Sequence, residues 1–161
     1  MKIYNFFEQF KKGQESEEFL DKWLANKGYK IKKASRDEER SGIDRWVTSE
    51  RGTWSVEYKT DFLAHNTGNV YLETVSVGRY NENGVFVVEK EGWLHTTQSD
   101  YLFYFIPGAG TLYMFKPKAL RQFADDNSLR SVQVKNPDYQ GRGLLAPIQK
   151  IGKFSVKSWQ L

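Results

Sequence analysis

The chain has 161 residues, the size of one ordinary domain with a single core, and its 5 Trp, 9 Tyr and 11 Phe are far too many for a disordered chain. Zero cysteines exclude disulfides, zinc–thiolate sites, iron–sulfur clusters and thiol nucleophiles, and no run approaches the roughly 18 apolar residues that a membrane span needs. The net charge is +4 and uneven: residues 127–161 carry Arg130, Lys135, Arg142, Lys150, Lys153 and Lys157 against Asp138 alone, or +5, which leaves −1 on the rest. Such an excess suits a polyanionic partner as well as plain solubility. The opening MKIYNFFEQFKK has neither a long apolar stretch nor a small-residue cleavage site, so the expectation is a cytoplasmic chain with no membrane partner.

No internal repeat, low-complexity tract or long linker divides the sequence, and one domain over 1–161 with a basic C-terminal segment is expected. In residues 15–26, Phe19, Leu20, Trp23 and Leu24 recur at helical spacing, with Gly28 as C-cap. Residues 29–34 read as a short strand or an extended entry and 35–42 as a charged, turn-rich stretch. Residues 43–48 and 53–59 are β-branched and aromatic and flank a hairpin connection, Ser49-Glu50-Arg51-Gly52. A third strand follows at 70–77 and a fourth at 85–89. Residues 101–106 and 111–115 form a second hairpin around Pro107–Gly110, and Pro117 opens a short helix to Asp126. The run YLFYF is apolar on both faces, so part of the sheet is covered on both sides, which points to an α/β or α+β mixed sheet.

The chemistry concentrates between Asp44 and Lys59. Side chains alternate along a strand, so Trp54, Val56 and Tyr58 share one face and Ser55, Glu57 and Lys59 the other. A two-residue turn at Glu50-Arg51 sets Asp44 opposite Glu57, and one at Arg51-Gly52 sets it opposite Lys59; either register puts all three on one face. Two opposed carboxylates repel unless a cation settles between them, and oxygen donors without cysteine or clustered histidine favour Mg²⁺ or Mn²⁺. A lysine beside that ion can position the attacking water or stabilise charge on a phosphate. A surface ladder of Asp, Glu and Lys on a solvated hairpin fits the same spacing. On the first helix Glu17 lies about 20° from Leu24 at roughly 100° per residue and faces inward, where a carboxylate needs a partner or a metal, although an ordinary N-terminal-turn glutamate favouring the helix dipole fits as well.

Gly13-x-x-x-Glu17, a helix closing at Gly28-Tyr29, then Gly42-Ile43-Asp44 and Val56-Glu57-Tyr58-Lys59, resembles the PD-(D/E)XK nuclease superfamily, in particular small phage and archaeal members akin to Holliday-junction resolvases. The resemblance covers roughly residues 13–73. It departs from the family at Ser41-Gly42-Ile43, where some members have Pro just before the aspartate. It implies a restriction-endonuclease-like αβββαβ core, a mixed central sheet flanked by helices, with Asp44 and Glu57 as metal ligands, Lys59 assisting the nucleophile and Glu17 supplementing the site. It further implies a Mg²⁺- or Mn²⁺-dependent endonuclease acting on DNA, selective for junctions or branches, working in the host cytoplasm if phage-encoded, with a homodimer supplying two sites. Glu73, on the third strand, and Asp61, which shares the parity of Glu57 and Lys59, are secondary candidates. Lys135, Arg142, Lys150, Lys153 and Lys157 are the candidate nucleic-acid contacts. The alternative is a catalytically inactive nucleic-acid-binding or accessory protein on the same scaffold.

Overall fold

The computed structural model describes residues 6–161, with side chains from residue 11 onward; residues 1–5, part of the opening stretch inspected for a leader, lie outside the described residues. The chain runs α1 (Phe6–Asn26), β1 (Lys30–Lys33), α2 (Arg36–Arg40), β2 (Arg45–Ser49), β3 (Gly52–Thr60), α3 (Ala64–Thr67), β4 (Asn69–Tyr80), β5 (Phe86–Glu91), α4 (Trp93–Thr96), β6 (Tyr101–Ile106), β7 (Thr111–Phe115), α5 (Pro117–Asp126), β8 (Arg130–Lys135), β9 (Gln140–Pro147), α6 (Ile148–Ile151) and β10 (Lys157–Gln160). No helix among the described residues is long and apolar enough to cross a membrane.

The strands form two sheets. The first has the order β1-β2-β3-β6-β7-β10 and is mixed, because β3 and β6 run parallel while every other pair is antiparallel. The second, β5-β4-β9-β8, is antiparallel throughout. Helices flank the mixed sheet, as its doubly apolar strands require. On one face Leu20 and Leu24 of α1 pack against Val47, Val56, Tyr58, Phe103, Phe105 and Leu112. On the other, Leu102, Tyr104, Ile106 and Phe115 meet Leu120 and Phe123 of α5 together with Val70, Leu72 and Ala146 of the second sheet. Strand β6 therefore sends Phe103 and Phe105 one way and Leu102, Tyr104 and Ile106 the other, which is why YLFYF shows no polar alternation.

Two expectations need correction. The strand beginning near Val70 is real and longer than expected, but it leaves the mixed sheet and builds the second one, with two register shifts against its neighbours. The turn-rich stretch 35–42 contains α2, started by a capping box in which the Ser35 hydroxyl accepts the Glu38 N–H and the Glu38 carboxylate accepts the Ser35 N–H. The basic C-terminal segment 127–161 is divided between the sheets: it supplies β8 and β9 to the second and β10 to the edge of the first.

The hand-over from β5 to α4 passes directly over β4. A Cβ on buried Gly92 would stand 2.2 Å from the Glu73 carbonyl oxygen, a backbone atom that cannot swing aside. Gly92→Ala is therefore expected to cost about 1–3 kcal/mol of stability, read from the midpoint of urea unfolding; an unchanged midpoint would mean that this crossing is looser than described.

Candidate active site

Each member of the Asp44, Glu57 and Lys59 group is placed by backbone, beginning with α2. That helix ends where Gly42 takes φ +77°, the left-handed region open to glycine, and turns the chain into β2. Gly42 is also needed for space, since a Cβ there would lie 2.8 Å from the Thr97 Cα and 3.0 Å from Glu57 Oε2. Beyond it the Asp44 N–H donates to the Val56 carbonyl at 2.9 Å, and Asp44 Oδ2 accepts the Tyr58 N–H at 2.7 Å. The pairings Arg45↔Val56 to Ser49↔Gly52 leave Glu50-Arg51 as a two-residue turn, so continuing the register brings Asp44 opposite Glu57.

The face these residues share is largely enclosed, with Glu57 buried and Asp44 and Lys59 half-buried. Glu57 and Lys59 pair with Leu102 and Tyr104 of β6, and Glu57 is only 5% exposed. The burial of Glu57 does not fit a fully solvated ion-pair ladder. Lys59 Nζ donates to Glu57 Oε1 at 2.7 Å, while Glu57 Oε2 is buried and has no hydrogen-bond partner. Burial opposes the charge on Lys59, but Glu57, Asp44 and Glu73 outweigh it and its pKa stands above the usual lysine value. Asp44 moves the same way for a different reason: desolvation first, then the Glu57 and Glu17 carboxylates, lift it from 3.8 to about 6, against the pull of the Tyr58 N–H and Lys59.

The other candidates separate. Glu73 joins the group: burial raises its pKa, Lys59 and Lys90 lower it, and its Oε1 accepts the Trp93 N–H at 3.4 Å. Asp61 does not. Its Oδ1 accepts the Leu63 and Ala64 N–H groups and its Oδ2 the Tyr104 hydroxyl at 2.6 Å and the Tyr71 N–H, so it anchors the entry to α3 and β4. Glu17 faces inward as expected, yet its Oε2 is held by Arg45 Nη2 at 3.0 Å. Arg45, buried to 3% exposure, also binds both Asp21 oxygens through Nε at 3.0 Å, and the Tyr58 hydroxyl donates to Asp21. Sequence reading missed Arg45, Asp21 and Tyr58, although Asp21 sits one helical turn after Glu17 on the same face of α1.

The basic candidates are spread over several elements. Lys135 is exposed at the end of β8, and the Arg142 guanidinium lies 3.5 Å from the Phe86 ring centroid. Lys150 and Lys153 are exposed in α6 and the turn after it, and Lys157 opens β10 with its ammonium 5.0 Å from the Trp159 ring centroid.

The donor set suits a hard divalent cation. Among the described residues no three His, Asp or Glu side chains converge, so the ligands would be the two carboxylates of Asp44 and Glu57, a number ordinary for Mg²⁺ completed by water and phosphate oxygens. The unpartnered Glu57 Oε2 is the atom that most needs such an ion.

No family model matches the chain, and no curated protein matches its sequence. Among solved structures it is similar to a bacterial homing endonuclease, I-Ssp6803I, at 16% identity and a TM-score of 0.50, over 68% of this chain and 70% of that one. At that identity the likeness is one of fold: about two thirds of this chain shares the mixed α/β architecture of an endonuclease.

The raised Asp44 pKa has a consequence for stability. As pH rises from about 4 through 6, the unfolded chain releases the Asp44 proton before the folded one does, and folding is penalised. Asp44→Asn, which removes the charge and keeps the shape, is expected to stabilise the cation-free protein by about 1–3 kcal/mol at pH 7.5 and by almost nothing near pH 4. Urea unfolding at both pH values checks this, and an equal effect at both would contradict a buried, charge-disfavouring environment.

Proposed function

We propose that this chain is a divalent-cation-dependent endonuclease that hydrolyses DNA phosphodiester bonds. The observation that carries the reading is the buried Glu57 with one oxygen on Lys59 and the other unpartnered, beside an Asp44 whose carboxylate is fixed by the Tyr58 N–H. Burying two carboxylates and an ammonium is costly and has no packing advantage, so the arrangement points to a site kept for chemistry. The fold shared with a homing endonuclease supports DNA as the substrate.

Asp44 and Glu57 would hold Mg²⁺ or Mn²⁺. When bound, such an ion polarises the scissile phosphate and makes water a better nucleophile near neutral pH. The chain's own groups do the rest. Lys59, kept protonated by Glu57 and one third exposed, hydrogen-bonds the attacking water or a phosphate oxygen and offsets negative charge there. Attack of water on phosphorus breaks the bond to the 3′-oxygen and leaves a 5′-phosphate and a 3′-hydroxyl. The Glu73 carboxylate, within the field of Lys59, tunes that ammonium. The resemblance to junction resolvases extends the proposal to branched DNA, cut by a homodimer that presents two such sites.

Incubation with duplex, single-stranded and branched DNA is expected to give cleavage with Mg²⁺ or Mn²⁺ and none with EDTA. Asp44→Asn and Lys59→Met should each lower the rate at least about 10³-fold with the fold intact by circular dichroism. Parental rates in either variant would move the active site elsewhere. DNA retention without cleavage of any substrate would instead make the chain an accessory binding protein.

Neutralising Lys150, Lys153 and Lys157 together tests the path of the DNA. If each contacts a phosphate, the slope of log K against log salt falls by up to about 2.7. A slope equal to the parent's in fluorescence anisotropy titrations would remove this segment from the interface.

A further inference from the structure

The mixed sheet keeps its candidate catalytic groups and a second polar group on opposite faces. Glu57 and Lys59 look toward Leu102 and Tyr104, while Arg45 and Tyr58 look toward α1, where the flanking residues Val47, Val56 and Phe103 form an apolar layer. A buried guanidinium in such a layer is expensive unless every donor is used. Here all three nitrogens are committed: Nε to both Asp21 oxygens, Nη2 to Glu17 Oε2, and Nη1 to the Asp44 carbonyl at 2.9 Å. The Asp44 carbonyl accepts a second bond, from the Ala34 N–H at 3.0 Å, so the residue is pinned from two sides. Tyr58 completes a loop. Its hydroxyl donates to Asp21 Oδ1 at 3.0 Å, its ring lies beneath the Arg45 guanidinium, 5.3 Å from centroid to carbon, and its own N–H is the donor that fixes Asp44 Oδ2.

The geometry points to Arg45, Tyr58 and Asp21 as positioning residues that hold the Asp44 carboxylate from the opposite face of the sheet, with Glu17 acting through Arg45. This network has a positioning role, exerted through Asp44. It acts by fixing two backbone points, the Asp44 carbonyl and the Tyr58 N–H, that set where the Asp44 carboxylate sits relative to Glu57 and Lys59. Helix α1 thereby has a second duty beside packing: it supplies the anions that make a buried arginine tolerable, and the arginine in turn pins the catalytic edge. Lysine could keep the charge at position 45 but could not span Asp21, Glu17 and the Asp44 carbonyl together, since only the planar fork offers donors in three directions.

The inference rests on the nuclease reading for its kinetic test and is independent of it for its structural one. In the kinetic test Tyr58→Phe, which removes a single hydroxyl, and Arg45→Lys, which keeps the charge, are expected to lower kcat for DNA cleavage about 10–100-fold with KM within twofold, the pattern of a displaced reacting group rather than lost binding. Asp21→Glu, which keeps an acceptor in reach, should recover part of the loss seen in Asp21→Ala. The structural test follows the position-58 amide by ¹⁵N-resolved NMR and hydrogen exchange in the cation-free protein. The parent amide should be shifted downfield and strongly protected by its 2.7 Å bond to the carboxylate, and both variants should exchange that amide at least tenfold faster while central β6 amides stay protected. A variant amide as protected as the parent's, or cleavage at the parental kcat, would overturn the positioning role. A parent that cuts no DNA under any condition would instead overturn the nuclease reading, and the amide measurement alone would then decide this one.

Discussion

The constraint on which the structure turns is the burial of β3 on both faces. It lies between antiparallel β2 and parallel β6 in the middle of a six-stranded sheet, with α1 covering one side and α5 and the second sheet packed on the other. A strand so placed is normally apolar throughout. This one carries Val56 and Tyr58 toward α1 but Glu57 and Lys59 toward the second core, where water is scarce and a carboxylate oxygen goes unpartnered. The cost is local and uncompensated by packing, and most of what surrounds β3 can be understood as keeping that pair in place.

Containment works through backbone more than through side chains. Gly42 comes so close to Glu57 that a single methyl would press on the carboxylate, and the Thr97 hydroxyl donates to the Gly42 carbonyl at 3.1 Å to hold the approach. Ser55 and Asp100 exchange side-chain and backbone hydrogen bonds at 2.8 and 2.9 Å, which clamps the start of the parallel β3–β6 pairing upstream of Glu57. From the far face the Arg45 guanidinium bonds the Asp44 carbonyl, and the Tyr58 backbone N–H bonds its carboxylate. The supports of the site are spread over α1, α2, β2 and the segment before β6.

How much of this is legible in the sequence depends on the range of the interaction concerned. Short-range features are legible: the two-residue turn at Glu50-Arg51 fixes a register that is one of two derivable by counting, and the second hairpin and α5 fall within the residues expected. Three strands of the mixed sheet do follow α1, but α2 interrupts the expected αβββ order between the short Lys30–Lys33 strand and β2. The capping box of α2 was readable as Ser35-Arg36-Asp37-Glu38 but was masked by surrounding charge that suggests a loop. Long-range features are not legible. Alternation in residues 69–80 says that a strand exists and not which sheet it joins, and the burial of Glu57 depends on Leu102, 45 residues away. Asp61 has the correct parity for the site but is consumed as a turn anchor, a competition that only the Tyr104 hydroxyl and the Leu63 and Ala64 amides reveal.

The electrostatics then narrow what this group of side chains can hold. Asp44, Glu57 and Glu73 bring three carboxylates within mutual influence of one ammonium, and Lys59 is bonded directly to Glu57 alone. With every carboxylate ionised the group is doubly negative; protonating Asp44, whose pKa stands near 6, removes only one of those charges. An anion such as a phosphate would be repelled from this corner by itself, since a single partly exposed lysine cannot offset the remaining carboxylates. A small dication held by the unpartnered Glu57 oxygen and the Asp44 carboxylate would reverse that balance. On the proposed reading, charge would then order the two partners, the cation being needed before a phosphodiester could approach Lys59.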